Sequence, residues 1–176
     1  VVNFAHGEMA VVAMYAAFVL FRGFGIDPLV SMVPIAAGLF ALGYLLQAGL
    51  INPFVGRAEH EQFILLVGVA IILVNGLLML YGPDARHADV SYGYDSFEVG
   101  PLLLDKVRVY AALAAFAVAV LLFLFFRFTR TGTAIRACAD NLVGAAVIGL
   151  DVKHLYALTF GIGAACVGAA GALMIL

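Results

Sequence analysis

Apolar residues along this chain gather into runs of about 20, each closed by a turn signal or a short charged stretch. The first covers residues 4–25 and stops at Gly25-Ile26-Asp27-Pro28. The second covers 29–50 and stops at Asn52-Pro53. The third covers 63–81 and is closed by Gly82-Pro83, the fourth covers 107–126, and the fifth covers 152–176 and is still apolar at the last residue. Runs of that length cross roughly 30 Å of hydrocarbon as helices, and lipid demands that each segment satisfy its own backbone hydrogen bonds. The pattern therefore predicts an all-α polytopic membrane protein with about five transmembrane helices in one domain.

Composition strengthens this reading. Of 176 residues, 65% are hydrophobic and 11% charged, which leaves too little polar surface to clothe a soluble core. Net charge is -2 with no basic tail, so nucleic acid is not an expected partner. Cys138 and Cys166 stand apart, with no metal-ligand spacing, so neither a metal site nor a disulfide framework is expected. The chain begins at Val1 and ends inside an apolar run, and it is read as a fragment cut at both ends.

The connections fall into two sets. One holds residues 52–62 and 127–154, with Arg57, Arg127, Arg130, Arg136 and Lys153. The other holds the turn near Arg22 and the loop 83–106, with Arg86, Lys106 and Arg108 beside it. The cluster Arg127 to Arg136 abuts a helix end and favours the first set as cytoplasmic, which makes 83–106 a periplasmic loop. That loop carries Asp84, Asp89, Asp95, Glu98 and Asp105; its Tyr92, Tyr94, Phe97 and Val99 precede Gly100-Pro101, and Leu102 to Leu104 follow. It reads either as a short hairpin or as an irregular loop.

Residues 129–154, TRTGTAIRACADNLVGAAVIGLDVKH, are too polar to span a membrane and too patterned for a linker. Ala134 to Ala139 favours one short helix. Asp140 and Asn141 are N-cap candidates for a second, Leu142 to Ile148, with Gly149 suited to its C-terminus and Asp151 to capping the last span. A short helix carrying Leu142, Val143, Val147 and Ile148 is marginal in water. It must dock, either on its own chain's helix ends or in a groove of a soluble partner.

The run RTGTAIRACADN, then Ala145-Ala146, Gly149-Leu150-Asp151 and ALTFGIGAACVGAAGAL, resembles the inner-membrane permease of high-affinity branched-chain amino acid ABC importers. The opening NFAHGE and the GPDAR after the third span resemble it too, in the same order, so the likeness covers essentially the whole chain. The resemblance implies that residues 127–151 form a cytoplasmic coupling loop gripped by ATPase subunits. Thr131, Gly132, Arg136, Ala137, Asp140, Asn141, Ala145, Ala146 and Gly149 would belong to it. Gly144 departs from the family pattern, where such loops often carry Glu; Arg130, Arg136 and Asp140 are the charges left nearby.

The same resemblance implies a bacterial inner-membrane location. It also implies two ATP-binding subunits holding ATP and Mg, a homologous second permease subunit, and a periplasmic binding protein that delivers leucine, isoleucine, valine or similar solutes. This chain itself would bind no cofactor, and the absence of G-x-x-x-x-G-K-[ST] places hydrolysis elsewhere. Relatives that move urea or short amides share an A-H-G-E opening and form an alternative. An ion-coupled secondary transporter and a non-transporting membrane scaffold are readings from other classes. No catalytic residue is expected: His6-Gly7-Glu8 lacks the P-C-x-x-C of zinc deaminases, and His60-Glu61 lacks the second His of H-E-x-x-H.

Three polar groups and one stripe remain. Asn3, His6 and Glu8 stand at the start of the first run, either as a hydrogen-bonded latch or lining the translocation path. Asn75, inside the third run, is a candidate for the same roles, with a bond across helices the structural option. Arg22 lies near a helix end, where it can snorkel. Gly161, Ala165 and Ala169, flanked by Ala164, Gly168 and Ala172, form a small-residue packing stripe, with Ala111, Ala112, Ala114 and Ala115 of the fourth span as a possible facing surface.

Overall fold

The computed structural model describes residues 5–55, 59–83, 90, 96–99 and 102–176. Asn3, Arg57, the GPDAR residues Asp84, Ala85 and Arg86, Tyr92, Tyr94 and the Gly100-Pro101 step lie outside the described residues. The elements are α1 (His6–Phe24), α2 (Pro28–Leu45), α3 (Glu59–Tyr81), β1 (Ser96–Val99), β2 (Leu102–Asp105), α4 (Lys106–Phe128), α5 (Arg130–Asp140), α6 (Leu142–Val147) and α7 (Val152–Met174). Helix α2 continues as a π-helical stretch, Leu46–Ile51, and a 3-10 turn, Asn52–Phe54. Among the described residues, five helices are long and apolar enough to cross a membrane: α1, α2 with its extension to Phe54, α3 from His60, α4 and α7.

Local chemistry sets the ends. Gly25, at φ 68°, stops α1 in the left-handed region. Asp27 then caps α2 by accepting from the Leu29 N–H at 2.9 Å, with Pro28 in the first turn, where its missing N–H costs nothing. Helix α3 begins at Glu59 rather than Phe63, and Glu61 in its first turn suits the positive end of a helix dipole. Asp105 caps α4 through the Val107 N–H at 2.9 Å, which sets its start at Lys106. The connection between α3 and α4 contains a hairpin: β1 and β2 pair antiparallel, Ser96 opposite Asp105 and Val99 opposite Leu102.

The interior is built around α7. Its small residues take the backbone of α2 on one side and of α1 on the other. A Cβ added at Gly43 would sit 2.6 Å from the Ala164 Cβ, one at Gly161 would be 3.0 Å from the Phe40 carbonyl, and one at Gly168 would be 3.1 Å from the Ala36 Cα. Phe40 meets Gly161 whereas Ala36 meets Gly168, and Tyr44 meets His154, so α2 and α7 run antiparallel. At the far end, a Cβ on Gly171 would fall 2.5 Å from the Ala10 carbonyl. Met9, Ala13 and Ala17 of α1, Ile35 and Leu39 of α2, and Ala164, Val167 and Ala172 of α7 fill the space between.

The seam differs from the expected stripe in two ways. Ala165 turns away from it, and Gly171, outside the expected set, makes the closest approach to α1. The facing surface also comes from α1 and α2 rather than from the alanines of α4. Helix α4 buries none of its residues, and a cleft of about 470 Å³ separates it from α2 and α7, lined by Phe40, Leu121, Phe125, Ile162 and Ala165 among others. The alanine spacing of α4 misled because alanine serves equally as a packing residue and as a plain helix former.

Gly171→Leu should therefore lower the thermal stability of the detergent-solubilised protein by about 1–3 kcal/mol or more, the usual cost of overpacking. Gly163→Ala, where an added Cβ meets nothing within 4 Å, should be neutral in the same measurement.

Candidate functional site

The segment between α4 and α7 is built by caps. Thr129 ends α4 and begins α5: its hydroxyl donates to the Phe125 carbonyl at 2.6 Å and accepts from the Gly132 N–H at 2.9 Å. Gly132 is pressed against the backbone of Phe125 and Phe126, so no side chain fits there. This gives a packing reason for the glycine of RTGT, whereas Thr129, which sequence reasoning missed, does the capping. Its signal was present as a Thr one residue before a helix-favouring run.

Asn141 separates α5 from α6 and accepts from the Gly144 N–H at 2.8 Å. Of the two cap candidates, Asn141 performs the role and Asp140 is the last residue of α5, with its side chain exposed. Gly144 lies against the Asn141 side chain. Helix α6 ends in a Schellman motif: the Leu150 N–H reaches the Ala145 carbonyl at 3.1 Å, the Gly149 N–H reaches that of Ala146 at 3.1 Å, and Gly149 has φ 85°. Asp151 then caps α7 through the His154 N–H at 3.1 Å.

These caps leave two faces. The inner one, Ile135, Cys138, Ala145 and Leu155, packs with Phe125, Phe126 and Leu158, and so fastens the segment to α4 and α7. The outer one is apolar and open: Val143 is 74% exposed, Val147 80% and Ile148 73%, with Leu142 beside them. Arg136, Asp140 and Ala146 are exposed around it, Ala137 is half-buried, and Thr131 lines the cleft beside α4. One side of this six-residue helix is thus docked on its own chain, and the other side is exposed.

A polar joint, not foreseen from the sequence, ties the end of α2 to the first turn of α7. The Tyr44 hydroxyl and His154 Nδ1 are 2.9 Å apart, the Asn52 Nδ2 donates to the Lys153 carbonyl at 3.2 Å, and the Gln47 Nε2 donates to the Asn52 Oδ1 at 3.1 Å. These bonds put the α2–α3 connection and the start of α7 at one end of the bundle. Gln47 is 1% exposed. The residues involved are separated by about a hundred positions, a pairing that spacing along the chain does not reveal.

The remaining candidates are dispersed. His6 is exposed in this chain, and half-buried Glu8 lines a cleft of about 240 Å³ between α1 and α3 with Val11, Tyr15, Val74 and Leu77. Tyr15 stacks on Tyr81 beside it, centroids 4.7 Å apart. Asn75 donates to the Ile71 carbonyl of its own helix at 2.8 Å rather than across helices. One of the amide's donors is thus used within its own helix, in a local side-chain-to-backbone bond.

A family model described as the permease component of the branched-chain amino acid transport system matches residues 1–176. The chain is similar to the high-affinity branched-chain amino acid transport system permease protein BraD of Pseudomonas aeruginosa, at 27% identity over 98% of the chain and 60% of that protein. It is similar to LivH of Salmonella typhimurium, at 28% identity over 98% and 60%. It is also similar to a probable branched-chain amino acid transport permease protein LivH of Methanocaldococcus jannaschii, at 25% over 98% and 56%. The chain thus spans less than two thirds of the length of these relatives. No solved structure matches it.

Removing the caps should loosen this segment without unfolding the bundle. Thr129→Ala and Asn141→Ala are each expected to cost about 0.5–2 kcal/mol locally, read as faster hydrogen exchange at the Gly132 and Gly144 amides with α7 amides unchanged.

Proposed function

This multi-pass membrane chain belongs to the branched-chain amino acid transport permease family, and we propose that it forms part of the translocation pathway of an ATP-driven importer of leucine, isoleucine, valine or similar solutes. It sits in the bacterial inner membrane beside a homologous second permease. A periplasmic binding protein delivers the solute, and two ATPase subunits, holding ATP and Mg, supply the work. The reported relatives are named for branched-chain amino acids, which lends no support to the urea or short-amide alternative. The chain has no chemistry of its own to perform: its role is to change shape.

The observation that carries this reading is the outer face of α6. Val143, Val147 and Ile148 project from a helix whose other side is fixed by Ala145 to the membrane helices. An apolar knob on a rigid mount suits a groove of a soluble subunit, in the helix-in-groove mode. Arg136 and Asp140, exposed beside it, give the rim its charge, as the absence of a Glu at Gly144 requires. A motor shifts a conformational equilibrium only through contacts that differ between its states. Closing of the ATPase pair would move the two coupling elements together and bias the bundle from inward- to outward-facing. The cleft beside Glu8 is the best-placed lining for the path, with Glu8 and His6 either facing it or latching its wall.

Replacing Val147 and Ile148 together by Asp places charge where desolvation is required, so ATPase subunits should no longer co-purify and uptake should fall at least roughly tenfold, with the permease still inserted. Undiminished binding-protein-stimulated uptake by that variant would sink the proposal.

A further inference from the structure

We propose that the polar joint between α2 and α7 is a two-state latch that passes displacement of the coupling element to the membrane helices, with Asn52 as its positioning residue. The inference rests on the importer reading above and goes on to name the place where α6 and the bundle are linked.

The orientation of the joint is fixed by one group. The Lys153 carbonyl can only accept, so Asn52 must turn its Nδ2 toward it, at 3.2 Å. The Asn52 Oδ1 is then left facing Gln47, whose Nε2 must donate, at 3.1 Å. As a result the Gln47 Oε1 is a buried acceptor with no donor, although the residue is 1% exposed. A buried polar atom without a partner requires an explanation, and the amide pair itself offers one. If the first turn of α7 draws away from Asn52, the freed Nδ2 can turn to the Gln47 Oε1. The bond lost to Lys153 is replaced by one that satisfies the orphaned oxygen, so the pair has two arrangements of comparable stability.

The setting fits such a latch. Gln47 lies in the π-helical stretch Leu46–Ile51, at whose end the Asn52 N–H donates to the Gln47 carbonyl. Single-turn π-bulges inside helices are rare and are found frequently at functional sites. On the other side, α6 reaches Lys153 and His154 through Gly149, Leu150 and the Asp151 cap, so a pull on α6 arrives first at the turn that holds Asn52. Tyr44 and His154, 2.9 Å apart, form a second bond across the same gap. Since α2 is also the main packing partner of α7 through Gly43, Gly161 and Gly168, releasing this end lets the two helices pivot about the seam.

The test uses the complete importer, both permease subunits with ATPase subunits and binding protein, in proteoliposomes. Asn52→Asp keeps the acceptor for Gln47 and loses the donor to Lys153; Tyr44→Phe, a milder change, removes the second bond alone. Each should assemble and hydrolyse ATP, while solute moved per ATP falls by at least about fivefold. A merely structural role would lower both rates together and leave that ratio unchanged. An unchanged ratio in the assembled variants, or in Tyr44→Phe alone should Asn52→Asp fail to assemble, overturns the latch. Wild-type complexes that show no ATP-dependent uptake overturn the importer reading, and the latch with it.

Discussion

Helices in lipid gain nothing by hiding apolar surface from one another, because the surrounding tails are as apolar as they are. What holds this bundle is therefore how closely backbones approach. Helix α7 meets α2 where Gly43, Gly161 and Gly168 leave no room for a Cβ, and meets α1 at Gly171. Close approach multiplies dispersion contacts, each worth only about 0.1–0.2 kcal/mol, along whole helix faces. The apolar residues that dominate the composition point elsewhere: Ile72, Met79, Leu80, Phe116 and Leu121 are all exposed in this chain, as a lipid-facing or partner-facing surface requires.

From that seam follows the placement of everything polar. Because α7 is gripped beyond its first turns by α1 and α2, those turns form the platform on which α5 and α6 are mounted through Ile135, Cys138, Ala145 and Leu155. The caps at Thr129, Asn141 and Asp151 let the chain reverse direction within a few residues while leaving few backbone groups open. Helix α4 contrasts with this. It touches the platform at its lower end through Phe125 and Phe126, and it stands off from α7 higher up across the large cleft. Helix α4 is thus held more loosely than the trio α1, α2 and α7, and elements with few buried contacts open most readily.

Much of this was legible in the sequence, and the reasons differ by element. Membrane spans are announced by length and hydropathy, which is why the five helices, the Gly25-Ile26-Asp27-Pro28 turn and the Asn141 cap could be read from residue types alone. The two short helices between α4 and α7 were legible because a polar run with paired cap candidates favours them, whereas a coupling role was implied only by the family resemblance. The partners of α7 were not: alanine and glycine stripes say that something approaches closely, and the alanines of α4 advertised as well as Ala10, Ala13 and Ala36 did. The Gln47–Asn52–Lys153 joint was hidden because it depends on a backbone carbonyl and on a π turn that no residue pattern encodes. The role of Glu8 also depends on what faces its cleft, which local sequence does not contain.

The account rests on a specific claim, that Gly43 and Ala164 share one slot between α2 and α7 which admits a single methyl group, the added Cβ lying 2.6 Å from the existing one. A double-mutant cycle in detergent measures this directly. Gly43→Ala alone should be destabilising, and Gly43→Ala with Ala164→Gly, which moves the methyl from one helix to the other, should recover most of the loss, a coupling of about 1 kcal/mol or more. Additive effects of the two changes, with the swapped pair no more stable than Gly43→Ala, would contradict the seam on which the rest of the structure depends.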